Sequence, residues 1–142
     1  MIELLRLRTM ERGKSLSDQL EDRLIEFAAR IVTFSMDLTG TPAGKHISMQ
    51  ILRSGTAPAP NYAEARGAES RADFVHKLGI VQKELNETSV WLRVLMRINL
   101  GKEDLLVAIL KENVELAKIV TASIMTARKR SESDKCRMNI ER

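Results

Sequence analysis

A few side chains in this chain have the right type for metal chemistry, but their spacing does not bring them together. His46 and His76 are the two histidines, and we predict them on different helices. Metal sites in helical bundles typically use Glu-x-x-His motifs on facing helices. Ala43 and Asp73 stand three residues before the two histidines, and Asp73 is better explained as an acid at the start of a helix. We therefore expect no metal ligands and no cofactor.

Glu84 and Glu87 lie about one helical turn apart. Paired carboxylates can transfer protons when their surroundings separate their pKa values. No histidine or cysteine is near them in sequence, so ion pairs with Arg53, Arg66 or Lys83, or with a neighbouring subunit, are the simpler interpretation. The possible nucleophiles are Ser54, Ser70, Ser89 and Cys136. They qualify by residue type alone, because none lies in a triad pattern or a strained turn. We predict no catalytic residue and no enzymatic activity.

Composition is typical of a small helical protein. The chain has 142 residues, enough for one domain with its own core. Hydrophobic residues make up 44% and aromatic residues 4%, so the core must be aliphatic. The single cysteine cannot form an internal disulfide. Because no apolar run approaches the ~20 residues of a membrane-spanning helix, the sequence predicts a soluble cytoplasmic protein without a membrane partner.

Basic residues are concentrated in the two tails. Residues 1–16 carry four basic and two acidic groups, residues 128–142 carry six and three, and residues 17–127 carry thirteen and fourteen. The triplet Arg128, Lys129 and Arg130 is a candidate for phosphate contacts, which several copies in an oligomer would multiply. A solvated tail that complements a helix dipole is the simpler alternative. No aromatic residue is interleaved, so base-specific recognition is not expected.

Four amphipathic helices explain the spacing of the apolar residues. The first runs from about residue 17 to 38, with serines at 15 and 17 as candidate N-caps. The second runs from about residue 43 to 68. Pro58 and Pro60 each lack an amide hydrogen and restrict the preceding residue, so this helix must bend or break there.

The third helix, predicted from about Arg71 to Asn99, carries the strongest periodic signal. Ser70 and Asp73 form a candidate capping box at its start. Its apolar stripe alternates spacings of four and three without a slip: Phe74, Leu78, Val81, Leu85, Thr88, Leu92 and Leu95. Trp91, Val94 and Ile98 lie off that stripe and form a second apolar surface. We expect this surface to be partly wet in a monomer, which makes it a candidate contact between subunits.

The fourth helix is predicted from about Lys102 to Arg130. Its inward positions are Leu106, Ile109, Asn113, Leu116, Val120, Ile124 and Ala127. Short connections between long helices favour antiparallel neighbours. The sequence therefore predicts an all-α, antiparallel, up-down-up-down four-helix bundle over residues 15–130, with its second helix kinked. Residues 1–14 are expected to form a short helical arm or to be disordered, and residues 131–142 a polar, basic, frayed tail.

A run of residue types across the second and third helices resembles the signature of a bacterial four-helix-bundle family. Its members here are Gln50, Arg53, Ser54, Asn61, Ala63, Glu64, Ser70, Asp73 and Phe74. The family includes the proteins encoded by intervening sequences in 23S ribosomal RNA genes, often called S23 ribosomal proteins. The resemblance implies an antiparallel bundle that assembles as a ring-shaped homopentamer and has no established enzymatic activity. It also extends to the accessory protein of diversity-generating retroelements, which works with a reverse transcriptase and nucleic acid.

The polar members of this motif allow two interpretations. Arg53, Asn61 and Glu64, together with Arg66, form either a recognition surface or a hydrogen-bonded network that fixes the kink or a subunit contact. Their clustering around the two prolines favours the network. Two functions follow from the sequence and the resemblance: a homo-oligomeric assembly or interaction scaffold, or an accessory protein that binds RNA or DNA through basic tails multiplied by oligomerisation. The candidate partners are further copies of the chain, and nucleic acid or a nucleic-acid enzyme.

Overall fold

The computed structural model describes residues 13–140, and its secondary structure over that range is helical without strands. The helices are α1 (Leu16–Met36), α2 (Pro42–Thr56), α3 (Pro58–Arg66), α4 (Arg71–Ile98) and α5 (Glu103–Ile140). Together, α2 and α3 form the second of the four predicted rods. The first begins with a capping box, in which the Ser15 hydroxyl accepts the Asp18 N–H at 3.1 Å and the Asp18 carboxylate accepts the Ser15 N–H at 3.1 Å.

Contacts between the rods show that neighbours run antiparallel. Ser48, early in α2, donates its hydroxyl to the Ser35 carbonyl late in α1 at 2.9 Å. Arg66, at the end of α3, instead reaches Asp18 near the start of α1. Both α1 and α4 contact α2, α3 and α5. The rods therefore follow one another around a square, and the predicted up-down-up-down bundle is confirmed.

The second rod bends at the two prolines without breaking. Ala57, between α2 and α3, keeps helical dihedral angles (φ −63°, ψ −33°) although a proline follows it. Pro58 and Pro60 cannot donate to the carbonyls one turn back, which interrupts the hydrogen-bond ladder. The ladder resumes at Asn61, whose backbone N–H and side-chain amide both donate to the Ala57 carbonyl, at 3.2 and 2.8 Å. The predicted kink is therefore confirmed.

The last helix is longer than the sequence analysis predicts. It continues beyond Arg130 to Ile140, so residues 131–140 are helical where a frayed tail is expected. This stretch contains neither glycine nor proline, and Asp134 pairs with Arg71 at the start of α4. The basic triplet alone is therefore not enough to end the helix. Of the predicted N-terminal arm, residues 1–12 lie outside the described residues, as do residues 141–142.

The aliphatic core contains one buried polar layer near its middle. Thr88 donates its hydroxyl to the Glu84 carbonyl at 2.8 Å, and its oxygen accepts the Ser54 hydroxyl, with 2.9 Å between the two oxygen atoms. Asn113 donates its amide to the Leu85 carbonyl at 3.0 Å. The three side chains are at most 1% exposed. Because buried polar groups need partners, these bonds fix the axial register of α2, α4 and α5.

Candidate functional site

The antiparallel order brings together arginines that are far apart in sequence. One end of the bundle holds the start of α1, the end of α3, the start of α4 and the late turns of α5. Arg66, Arg71 and Arg130 line a single cleft there, and we call this part of the molecule the arginine end. The basic triplet Arg128, Lys129 and Arg130 lies on the late turns of α5, so this basic region of the sequence is at the same end.

Arg66 is the most firmly held of the three arginines. Its guanidinium donates to the Asp18 carboxylate at 2.7 Å and to the carboxylate of Glu21. These hydrogen bonds raise the pKa of Arg66. The Ser15 hydroxyl, followed by the Arg66 guanidinium, lowers the pKa of Asp18 to about 2. The network ties the second rod to the start of α1, and it engages both terminal nitrogens of Arg66.

The cleft between the α3–α4 connection and α5 has a volume of about 430 Å³. Arg71 and Arg130 line it, and Phe74 contributes an aromatic ring. Arg71 pairs with Asp134, and the two side chains are 41% and 58% exposed. Arg130 makes no ion pair within residues 13–140. Glu69 is the one carboxylate among the described residues that line the cleft.

The predicted phosphate contacts do not share one face of α5. Arg128, Lys129 and Arg130 are all exposed. Consecutive residues of an α-helix point about 100° apart, however, and only Arg130 of the three lines the cleft. Arg137 follows Arg130 two turns later on the same side of the helix, about 10 Å farther along its axis. The helix therefore divides the basic run among several directions.

The charged members of the family motif cross-link the second rod to α4. Arg53 contacts the Glu84 carboxylate at 3.6 Å and the carboxylate of Glu87. Glu64 accepts a hydrogen bond from Lys77 at 2.9 Å, and this bond raises the pKa of Lys77. The two carboxylates of α4 therefore share one guanidinium across a helix boundary. This arrangement matches the ion-pair interpretation of the sequence analysis, with Arg53 as the cation.

The remaining motif residues lie at helix ends and on the flanks of the bundle. Ser70 caps α4, since its hydroxyl accepts the Asp73 N–H at 3.1 Å. Gln50 and Phe74 are half-buried, and Ala63 is exposed. With Asn61 at the kink and Ser54 in the polar layer, most of the polar motif residues have structural contacts within one chain.

The apolar surface off the α4 stripe faces the second rod. Trp91 and Val94 are half-buried and pack against the core. The indole meets the His46 imidazole edge to face, with ring centroids 6.1 Å apart. Ile98 is 50% exposed at the end of α4, and Met49, nearly one turn after His46, is 66% exposed. We call Met49, Trp91, Val94 and Ile98 the tryptophan patch.

The histidines and the cysteine do not form a chemical site. Over residues 13–140, no three His, Cys, Asp or Glu side chains are grouped closely enough to hold a metal ion. His76 is exposed on α4, and Cys136 is exposed on the last turns of α5. In the same part of the chain, no helix is long and apolar enough to cross a membrane.

The convergence of Arg66, Arg71 and Arg130 was not predicted, because Arg66 and Arg71 lie in the nearly neutral body of the sequence and only Arg130 lies in a basic tail. The signal was available in the predicted topology. In an up-down-up-down bundle, the end of the second rod, the start of the third and the end of the fourth share one end of the molecule. Arg66 and Arg71 are terminal residues of α3 and α4, and Arg130 is at the predicted end of the fourth helix.

Comparison with known proteins identifies the family. Residues 18–122 match the model of the 23S rRNA-intervening sequence protein family. No curated protein matches the chain. A crystal structure of a protein with unknown function from the S23 ribosomal protein family of Bacteroides thetaiotaomicron is 38% identical, with a TM-score of 0.72 over 77% of this chain and 97% of that chain. The chain therefore belongs to the 23S rRNA-intervening sequence protein family.

Proposed function

We propose that this protein is a non-enzymatic subunit of a homo-oligomer, a ring of five copies, that serves as a scaffold for other macromolecules. The tryptophan patch carries the proposal. Met49 is 66% exposed and Ile98 is 50% exposed, while Trp91 and Val94 are half-buried. Burying apolar surface of this kind against a second copy lowers the free energy, because the surface is removed from water. The number of copies follows from the family resemblance.

A non-enzymatic role agrees with how the charged groups are used. Glu84 and Glu87 are engaged by Arg53, and Glu64 by Lys77. Acid–base catalysis needs carboxylates whose surroundings drive their pKa values apart inside a site that receives substrate. Carboxylates that bridge two helices instead hold the bundle together.

Light scattering coupled to size exclusion tests the assembly. We expect about 80 kDa for a pentamer, five times the chain mass of 16.0 kDa. Ile98→Glu and Met49→Glu should lower the mass, because each places a charge in the patch. Met125→Glu on α5 is the matched control, since Met125 is 54% exposed. A wild-type mass of 16 kDa at micromolar concentration would rule out the scaffold, while disassembly by Met125→Glu alone would move the contact to α5.

A second function, accessory binding of RNA or DNA, is favoured by the arginine end. The fold places Arg71 and Arg130 around one cleft, although the two arginines are far apart in sequence. Lysine and arginine side chains release counterions when they neutralise phosphates, so such binding weakens steeply with salt. In an oligomer, several arginine ends would act on one strand and multiply a weak contact.

Fluorescence anisotropy with labelled RNA and duplex DNA tests this second function. Affinity should fall between about 50 and 200 mM salt, and deletion of residues 128–142 should reduce it. If the full-length protein binds neither nucleic acid at low salt, the second function is excluded. The scaffold proposal does not depend on that result.

A further inference from the structure

The cleft at the arginine end combines two features that the basic tails alone do not have. It places two guanidinium groups, from Arg71 and Arg130, around a space lined by the Phe74 ring. Phosphates pair with guanidinium groups, often through two hydrogen bonds, and unpaired bases stack on aromatic rings. The basic run of α5 has no aromatic residue of its own, so the fold supplies one from α4.

The two cations differ from Arg66 in how readily they can change partners. Arg66 is engaged by two carboxylates of α1, Asp18 and Glu21. Arg71 has a single partner, Asp134, in an ion pair that water already screens. Arg130 has no ion-pair partner within residues 13–140. An incoming anion can therefore recruit Arg130 directly and Arg71 by exchange, while Arg66 maintains the wall of the cleft.

The size of the cleft limits what it can hold. Small-molecule ligands occupy pockets of roughly 300–1,000 Å³, and the cleft has about 430 Å³. A duplex hides its bases in the stack, so it could offer phosphates to the arginines but no base to Phe74. We propose that the cleft binds one unpaired nucleotide of a single-stranded nucleic acid, with its phosphate on Arg71 and Arg130 and its base against Phe74.

Arg137 supports a strand as the occupant in preference to a free nucleotide. It lies on the same side of α5 as Arg130 and about 10 Å farther along the axis, where it can meet a later phosphate of the same strand. Arg130 and Arg137 also lie beyond residues 18–122, the part of the chain that matches the family model. Glu69 opposes an anion from the wall of the cleft. This inference rests on the second proposed function and specifies its site.

The test compares binding of a short labelled single-stranded RNA by full-length variants. Arg71→Gln with Arg130→Gln should make the slope of log affinity against log salt shallower by about 0.7, since both arginines hold the same phosphate and each neutralised phosphate contributes about 0.7 on single strands. Phe74→Leu should weaken binding about fivefold or more, through lost stacking. Glu69→Gln should tighten binding. Arg93→Gln with Arg97→Gln, at the other end of α4, is the matched control.

The outcomes separate the inference from the function on which it rests. If wild-type protein binds no single-stranded RNA at low salt, the inference fails, and if it binds no duplex DNA either, the second function fails with it. If it binds but the cleft variants behave like the Arg93 and Arg97 control, or if unlabelled duplex competes better than unlabelled single strand, the cleft is the wrong site and the function stands. If Phe74→Leu markedly lowers the melting temperature, its weaker binding could come from lost stability, and the Glu69→Gln variant then decides. If Glu69→Gln binds no more tightly than wild type, the inference is overturned.

Discussion

The two ends of the bundle are built from the same four rods, yet one end is rich in ion pairs between helices and the other exposes apolar side chains. At the arginine end, charged side chains from different helices meet one another, as in the contacts of Arg66 with α1 and of Arg71 with α5. At the other end, which we call the apolar end, the α4–α5 connection packs against Phe34. Met36, which is 69% exposed, and Ile98 lie on its surface.

This difference indicates that the two ends suit different partners. Exposed ion pairs contribute little net stability, because water and salt already screen them, so they can exchange with another anion. Exposed apolar side chains stabilise a complex only when the partner excludes water from them. An oligomer formed through the tryptophan patch, towards the apolar end, would therefore leave the arginine end accessible in every copy. The proposed scaffold and the proposed nucleic-acid site would therefore not compete for the same surface.

The largest predicted effect distinguishes the two ends by stability. Phe34 is 4% exposed at the apolar end, and Phe34→Ala should lower the free energy of unfolding by about 3–5 kcal/mol, through lost burial and the cavity left behind. Arg71→Gln at the arginine end should lower it by at most about 1 kcal/mol, because its ion pair with Asp134 is exposed. Urea unfolding followed by circular dichroism measures both. Equal losses would contradict the proposed difference between the ends.

An intermediate effect is expected at the connections between helices. Gly101, at the apolar end, has φ +92°, and an added Cβ would lie 3.0 Å from the Phe34 ring. Gly101→Ala should cost about 1–2 kcal/mol, because an L-residue is strained at positive φ. Gly67 at the arginine end is the matched control, since it has φ −92° and a new Cβ there would be 3.6 Å from the nearest atom.

The control should behave differently for a physical reason. Gly67→Ala reduces the conformational entropy of the unfolded chain and strains nothing, so it should be neutral or stabilising by up to about 1 kcal/mol. Thermal melting of both variants provides the comparison. If Gly67→Ala destabilises the protein as much as Gly101→Ala, then the arginine end is as tightly packed as the apolar end.

Local periodicity made the helices predictable, whereas contacts between helices depended on register. The α4 stripe from Leu78 to Leu95 is buried as predicted, because a spacing of four and three selects one helix face. The kink was predictable because Pro58 and Pro60 change the backbone chemistry directly. The end of α5 was not, since the basic triplet ending at Arg130 complements a helix terminus without requiring one.

The cleft at the candidate site could not be predicted from the sequence, because it depends on how the helices pair with one another. The cleft depends on Arg71 and Arg130 meeting across two helices, and the polar layer that sets their register includes Asn113. Asn113 was assigned to the inward stripe, but its bond to the Leu85 carbonyl required the α4–α5 alignment. Trp91 lies off the α4 stripe as predicted, but its half-burial reflects the second rod beside it, through His46.

The smallest predicted effect is a pH dependence confined to the arginine end. The pKa of Asp18 is about 2 in the folded protein against an ordinary value of 3.8, chiefly because of the Ser15 hydroxyl and Arg66. A lowered folded-state pKa means that the ionised carboxylate stabilises the fold above pH 3.8, and that this stabilisation is lost as the pH falls towards 2. Asp18→Asn removes the titrating group and retains a hydrogen-bond acceptor.

Urea midpoints of wild type and Asp18→Asn, measured from neutral pH downwards, show whether this happens. Wild type should be more stable above pH 3.8, and the difference should shrink across the window from 3.8 to about 2. Comparing the two proteins cancels the other carboxylates that titrate in the same range. Phe34→Ala is the control, because its deficit relative to wild type should not change with pH. A constant gap between wild type and Asp18→Asn would mean that Asp18 acts by packing or capping, and that the charge network contributes nothing to this end.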